Sequence, residues 1–432
     1  AYNQLSSSWE KALTDTDGAY AELMASSYSL NQPDFAWLEP YETKKFSQAW
    51  YPIGKMGIPD HATEHAAIHL TSSGVTVQTT RIHTHARLLC NGKEYALAAI
   101  PCTPVTISCG HVDSLQILDA DDNVLLSYTP KSPDITRMPE TLPGLPTLDQ
   151  ITCAQDAYLA GVHVDQYRGP TIRPDAYFQK ALKLEPHHLP SLIAMARYCY
   201  QLGKLDEAAS FVEQAEKTAT RWNFHPESGE IAYLKGLILQ AQHKHAEAYD
   251  AYQQACWNQD RRAAAMTRIA CMDGCNADFH AMLQHAISAL DANADNGLAI
   301  TLAAIAQARQ GRTEDALNRL AAYLSLDPLY HLAAYVRLRI SGGTGAELAE
   351  VMQSDPAQTC LDLAFDLLSM GEKAWASDIL TLCKPTAMTA YLRAQLQADP
   401  VALAEASHLS FGKAYPSRQS EEALLKAVLS QQ

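Results

Sequence analysis

The ten residues Asp60–His69, DHATEHAAIH, carry three histidines and a glutamate. Their core, His61-Ala62-Thr63-Glu64-His65, has the His-x-x-Glu-His spacing of inverted-motif zinc peptidases. That chemistry needs a helix, where two histidines four apart share a face. Here the string is boxed between Pro59 and Ser72-Ser73-Gly74 and runs into β-type text. On a strand the two histidines would stand about 13 Å apart, at roughly 3.3 Å per residue, too far to share a metal. The string is therefore expected to lead into a first β-strand. A second cluster, Cys271-Met-Asp-Gly-Cys275 with His280 and His285 downstream, can be drawn as a zinc site. It lacks the second close ligand pair of structural zinc sites, so core cysteines near a helix end are the expectation. His83 and His85 alternate on a strand and read as surface histidines. Arg261 and Arg262 are expected to cap a helix end or pair with acids. Neither a phosphate-loop motif nor a Gly-x-Ser-x-Gly elbow is present. No metal or cofactor is expected.

These residues are carried by a chain of 432 residues with 47% hydrophobic and 19% charged positions, the range of soluble globular proteins, and long enough for two or three cores. A formal net charge of −15 argues against nucleic acid and anionic membrane as partners. No apolar run reaches the length of a membrane span. Ten scattered cysteines fit reduced thiols, and a cytoplasmic location is expected. The chain opens on Ala1, so part of the protein is expected to lie upstream.

Three zones follow one another. In residues 1–59 aromatics and turn residues dominate, and KKFSQAWYPI alternates as a strand with Phe46, Gln48 and Trp50 on one face. Residues 60–130 hold short β-type runs (AAIHLT, VTVQTTRI, ARLLC, EYALAAI, VTISC, SLQILD, VLLSYT) separated by turn residues such as Asn91-Gly92, which suggests a small immunoglobulin-like sandwich. A proline-rich linker spans 131–149. From 150 to 432 alanine-rich helical periodicity takes over, and it repeats. LGKLDEAASFVEQAE, QHKHAEAYDAYQQAC, QGRTEDALNRLAAYL and MGEKAWASDILTLC are one phrase. Aligning Ala208, Ala248, Ala316 and Ala376 brings Val212, Tyr252, Leu320 and Leu380 into register. Ala248 and Ala316 are 68 positions apart, twice the 34-residue tetratricopeptide period, with a looser copy between. Ala208 and Ala248 are 40 apart, and TRWNFHPES is the expected insertion.

The repeats resemble the tetratricopeptide (TPR) family. That resemblance implies an all-α superhelix with a protein or peptide on its concave face, where Arg197, Tyr200, Tyr233, Gln240 and Arg309 would be inner-face, partner-binding residues. The family's paired Lys and Asn carboxylate clamp is not visible. A second stretch, GAYAELMASSYSLNQPDFAWLEPYETKKFSQAWY, resembles the closing segment of galactose mutarotases on Gly18, Glu22, Asn31, Pro33, Phe35, Leu38, Pro40 and Glu42, with Tyr41 in place of the usual glycine. The resemblance gives Glu22 the role of general base, the family's other catalytic residues lying before Ala1. The order of mutarotase-like tail, sandwich and repeats also resembles bacterial sugar-cluster proteins of the enterobacterial YphG type.

The expected architecture is thus multidomain: an all-β N-terminal part, made of a supersandwich remnant (1–59) and an immunoglobulin-like sandwich (60–130), then an all-α TPR superhelix. The leading function is a protein-interaction scaffold associated with bacterial carbohydrate metabolism, not an enzyme as an isolated chain. The alternatives are a carbohydrate-active enzyme, an epimerase or glycosidase-like protein completed by upstream residues around Glu22, and a sugar-binding module.

Overall fold

The computed structural model describes residues 38, 40–130, 145–167, 171–343, 345–352 and 356–430. They fall into two units: a β unit holding residues 45–130, and a helical unit holding residues 145–430 together with the 38–44 stretch.

The β unit has eight strands in two four-stranded sheets, ordered β1-β2-β3-β6 and β5-β4-β7-β8. They are β1 His61–Ala62, β2 Ala66–Thr71, β3 Gly74–Thr79, β4 His83–Cys90, β5 Lys93–Ala99, β6 Val105–Ile107, β7 Leu115–Leu118 and β8 Val124–Tyr128. Period-two patterning places them: Ala86, Leu88 and Cys90 of β4 point inward with Leu115 and Ile117 of β7. Ile68, Val75 and Val77 of the other sheet join the same core. Asn91 and Gly92, at φ 50° and 78°, close the β4–β5 hairpin as a two-residue turn with both residues left-handed. The Asn91 Oδ1 also accepts from the Asp113 and Ser114 amides at 2.8 and 3.0 Å, tying a second loop to the turn.

The His-x-x-Glu-His string is strand and turn, as expected. His61 pairs with Ile68 across β1–β2 and stacks on Tyr128, and the Thr63 amide donates to the Ala66 carbonyl. The expected KKFSQAWYPI strand does not form. Residues 44–53 have no ladder partner among the described residues, and Phe46 and Trp50 are exposed; alternation stabilises a strand only where a neighbour accepts its hydrogen bonds.

The helical unit contains seventeen helices among the described residues. They are α1 Ala154–Tyr167, α2 Pro174–Leu184, α3 Leu189–Gln201, α4 Leu205–Ala219, α5 Glu230–Ala241, α6 His245–Ala255, α7 Gln259–Cys275, α8 Phe279–Ala292, α9 Gly297–Arg309, α10 Thr313–Leu326, α11 His331–Ile340, α12 Ala346–Val351, α13 Ala357–Ser369, α14 Lys373–Ile379, α15 Ala387–Gln397, α16 Pro400–Ala406 and α17 Gln419–Leu429. Successive hairpins α1–α2, α3–α4, α5–α6, α7–α8 and α9–α10 pack within themselves, and α3, α5, α7, α9 and α11 pack on one another in turn. The aligned register is the hairpin seam: Ala208, Ala248, Ala316 and Ala376 are fully buried, as are Tyr252 and Leu320, with Met282 taking the alanine place in the looser copy.

One turn recurs. Residues 203, 243, 277, 311, 342 and 371 all have φ between 57° and 86°. In each, the next amide reaches back five residues, as Lys204 to Cys199, Lys244 to Leu239, Asp278 to Asp273 and Arg312 to Gln307. This closure stops the first helix and reverses the chain. Residues 243, 277 and 311 keep the 34-residue period, while the extra length before them lies in 220–229, between α4 and α5. Two of the six positions are not glycine. His243→Gly and Ala277→Gly are each expected to stabilise the protein by about 0.5–1 kcal/mol, read by chemical denaturation, because they relieve a left-handed side chain. A loss at both sites would refute that account.

Candidate functional site

Small residues in first helices let aromatics of second helices approach. Gly161 faces Phe178, and Gly236 faces the ring of Tyr252, at distances where a Cβ would collide. The first helices consequently run side by side, and their other faces line two adjoining cavities. One, of 330 Å³, is walled by Leu38, Pro40, Arg197, Tyr200, Tyr233 and Arg261; the other, of 760 Å³, by Tyr41, Tyr200, Arg268, Tyr330, Asp366 and Arg418 among others. The array curls far enough for Gln419, at the start of α17, to donate its side-chain amide to the carbonyl of Tyr200 in α3.

Leu38 and residues 40–43 lie in this groove, although the whole β unit separates them from the helices in sequence. The ring of Tyr41 lies under the Arg268 guanidinium, 5.4 Å from it, and packs on the cluster of Tyr233, Tyr252, Ala264 and Ile269. Asn293 Nδ2 donates to the Tyr41 carbonyl at 2.6 Å, and the Thr43 hydroxyl donates to the Asp295 carbonyl at 3.2 Å. Tyr41 itself is left-handed, at φ 60°. Burial pushes its phenol well above the ordinary range.

Of the expected partner-binding residues, Arg197 and Tyr200 on α3 and Tyr233 on α5 come together on the smaller cavity. Arg197 is paired with Glu230, which also lies 3.7 Å from Arg261. Gln240 is turned the other way and accepts the Tyr252 hydroxyl at 2.8 Å. Arg309 forms a forked ion pair with Glu372. Glu22 lies outside the described residues. Cys271 is buried in the core, but Cys275, also expected there, is exposed: it is the last residue of α7, where the next turn leaves the packing surface. His285 bonds Asp273 at 2.7 Å, and Tyr249 shares that carboxylate.

Arg268, Asn293 and Asp366 were not anticipated from the sequence. A lone arginine inside the apolar run AAAMTRIACM was the available signal for Arg268. Its Nε atom is buried and has no hydrogen-bond partner among the described residues. The Asp366 carboxyl is pushed up to about 6 by burial first, with Asp362 adding and Arg418 and Arg268 opposing. A carboxyl raised above its unfolded value of 3.8 costs stability once ionised. Its penalty is absent below about pH 4, grows to pH 6 and is constant above. Asp366→Asn should therefore be about 3 kcal/mol more stable than the parent at pH 7.5 and equal to it near pH 4, in paired urea melts. A pH-independent difference would contradict the assignment.

The recurring turns, the buried seam and the row of first helices define a tandem array of helical hairpins, part of it with a 34-residue period, that follows the β unit in sequence. No protein-family model matches the chain. Among solved structures it is similar to a tetratricopeptide repeat protein from Parabacteroides merdae, at 15% identity over 64% of this chain and 98% of that one, with a TM-score of 0.40. It is similar too to YrrB, a TPR protein with an unusual peptide-binding site (16%, covering 44% and 94%, TM-score 0.35), and to MamA (15%, 40% and 90%, 0.34). No helix among the described residues is long and apolar enough to cross a membrane.

Proposed function

We propose that the protein is an interaction scaffold whose helical array receives an extended segment of a partner protein in the groove along its first helices. The observation that carries this reading is the course of Leu38 and residues 40–43, which lie in the groove through a side-chain amide on a backbone carbonyl and a clamped aromatic ring. A row of parallel helices with spaced polar side chains suits such recognition, because main-chain contacts hold any extended segment and side-chain pockets select among them. The strand order of the β unit supports an immunoglobulin-like sandwich, which leaves that unit as a spacer or second docking module.

The test is site-specific photo-crosslinking in cells, with the probe at Tyr200 or Gln201 in the groove and at Trp222, exposed on the 220–229 loop, as the outside control. The expected outcome is a discrete protein adduct from the groove positions that weakens with Arg197→Glu. Adducts confined to Trp222, or none at the groove, would sink the reading.

A further inference from the structure

The groove's polar groups are in place without help from residues 38–43. Asn296, at the head of α9, is buried, donates to the Thr267 hydroxyl of α7 at 2.8 Å and accepts from the Ala299 amide at 3.1 Å. Asn293 spends its side-chain oxygen on the Asp295 amide at 3.1 Å. The α8–α9 loop is thereby locked to α7, and the Asn293 NH2 group is left aimed into the groove, where it meets the Tyr41 carbonyl. Arg268, one helix in, offers a guanidinium face that Tyr41 covers and a buried Nε with no hydrogen-bond partner among the described residues. A packing contact of the core has no need of such parts. A preformed main-chain donor beside a cation-faced ring slot is what an extended peptide bearing an aromatic residue requires.

The occupant has the matching features. Leu38 and Pro40 line the smaller cavity, while the residue after Pro40 delivers the ring. Leu38 is half exposed, and Glu42 and Thr43 are exposed beside the larger cavity, so the segment lies along the groove and is not walled in. Tyr41 adopts a left-handed φ to place its ring, a strain that an outside peptide need not carry.

We infer that this groove is a site for an extended peptide presenting an aromatic residue directly after proline, and that residues 38–43 occupy it as the chain's own ligand, which a partner must displace. The inference rests on the scaffold reading above and names the partner's chemistry. A tethered segment competes at an effective concentration of about millimolar, so the resident ligand keeps weakly matched peptides out.

The experiment uses a fluorescein-labelled peptide AWLEPYETK, which reproduces residues 36–44, and the full chain, read by fluorescence anisotropy. In the variant Leu38→Ser/Pro40→Ser/Tyr41→Ser the groove is vacated. The peptide should bind it at least tenfold more tightly than the parent chain, and a peptide with alanine in the tyrosine place should lose at least tenfold. Adding Arg268→Gln to the triple variant should abolish the difference between the two peptides, with circular dichroism confirming the fold of each protein. Should the triple variant not fold, Tyr41→Ala alone replaces it, since it removes only the clamped ring. Equal binding to parent and vacated chains, or no binding to a folded vacated chain, overturns the inference: the segment is then fixed packing. Either result takes away the observation that carries the scaffold reading but does not decide it, because that reading is tested separately by a partner adduct at Tyr200. Crosslinking that fails while the peptide binds leaves the in-chain ligand and removes the cellular partner.

Discussion

Tyr252→Ala should lower the unfolding free energy by about 3–5 kcal/mol, the cost of emptying a fully buried aromatic site. The ring is wedged against Gly236, where an added Cβ would come within 2.5 Å, and it tilts on Tyr233 at 5.7 Å between centroids. Its hydroxyl donates to Gln240, so the alanine variant also leaves a polar group without its partner. Tyr252→Phe isolates that second part and should cost only about 1 kcal/mol. Gly236→Ala attacks the same contact from the other side and should cost about 1–3 kcal/mol by overpacking. The two changes combined, Gly236→Ala with Tyr252→Ala, should cost less than the sum of the singles, since the added methyl enters space the ring vacates. Strict additivity in guanidinium melts would show that the glycine and the ring are not coupled. Because Tyr252 is part of the cluster on which Tyr41 rests, the alanine variant should also loosen the groove segment.

Arg309→Met is expected to cost about 1–3 kcal/mol, because it leaves the buried Glu372 carboxylate without its half-exposed partner. The guanidinium donates to Glu372 through Nε at 3.2 Å and Nη2 at 2.5 Å while lying over the rings of Phe279 and Trp375. Methionine fills the slot between the rings and removes only the charge. Glu372→Gln placed on Arg309→Met should recover most of the loss, whereas a single-variant loss below about 1 kcal/mol would mean that the pair contributes little. The array-wide consequence is that Arg309 holds the α9 end to the turn before α14, so its loss should broaden the unfolding transition as well as shift it. A partner affinity that persists in the folded Arg309→Met protein would assign the residue to stability and not to recognition.

Arg309 also shows where reading along the chain stops. In AAIAQARQGRTED it has the look of a last-turn arginine on an inner helical face. Its carboxylate partner is 63 residues away in another hairpin, and only packing of hairpin on hairpin reveals that the charge is already used. Gln240 is the same case at shorter range, twelve residues from the hydroxyl that claims it. Arg197, Tyr200 and Tyr233 line the smaller cavity from first helices, but the 40-residue spacing between the α3 and α5 hairpins puts Gln240, not Tyr233, in the register of Tyr200, so the repeat period by itself does not select them. The strand KKFSQAWYPI failed for the complementary reason: alternation describes a face but cannot supply the neighbour that a ladder needs.

Local periodicity therefore determined much of this protein. The seam of Ala208, Ala248, Ala316 and Ala376, the turn residues at the ends of first helices and the seven longer β runs follow from short-range rules, since small residues, left-handed turns and period-two burial are properties of a few neighbouring positions. The tertiary structure alone decided what lies in the groove. A segment around Tyr41, read in the sequence as part of a β domain, sits against Arg268 and Asn293 more than two hundred residues away. No spacing rule links such positions. What joins them is the curl of the repeats, which sums small rotations per hairpin into a concave surface that exists only when the hairpins are stacked.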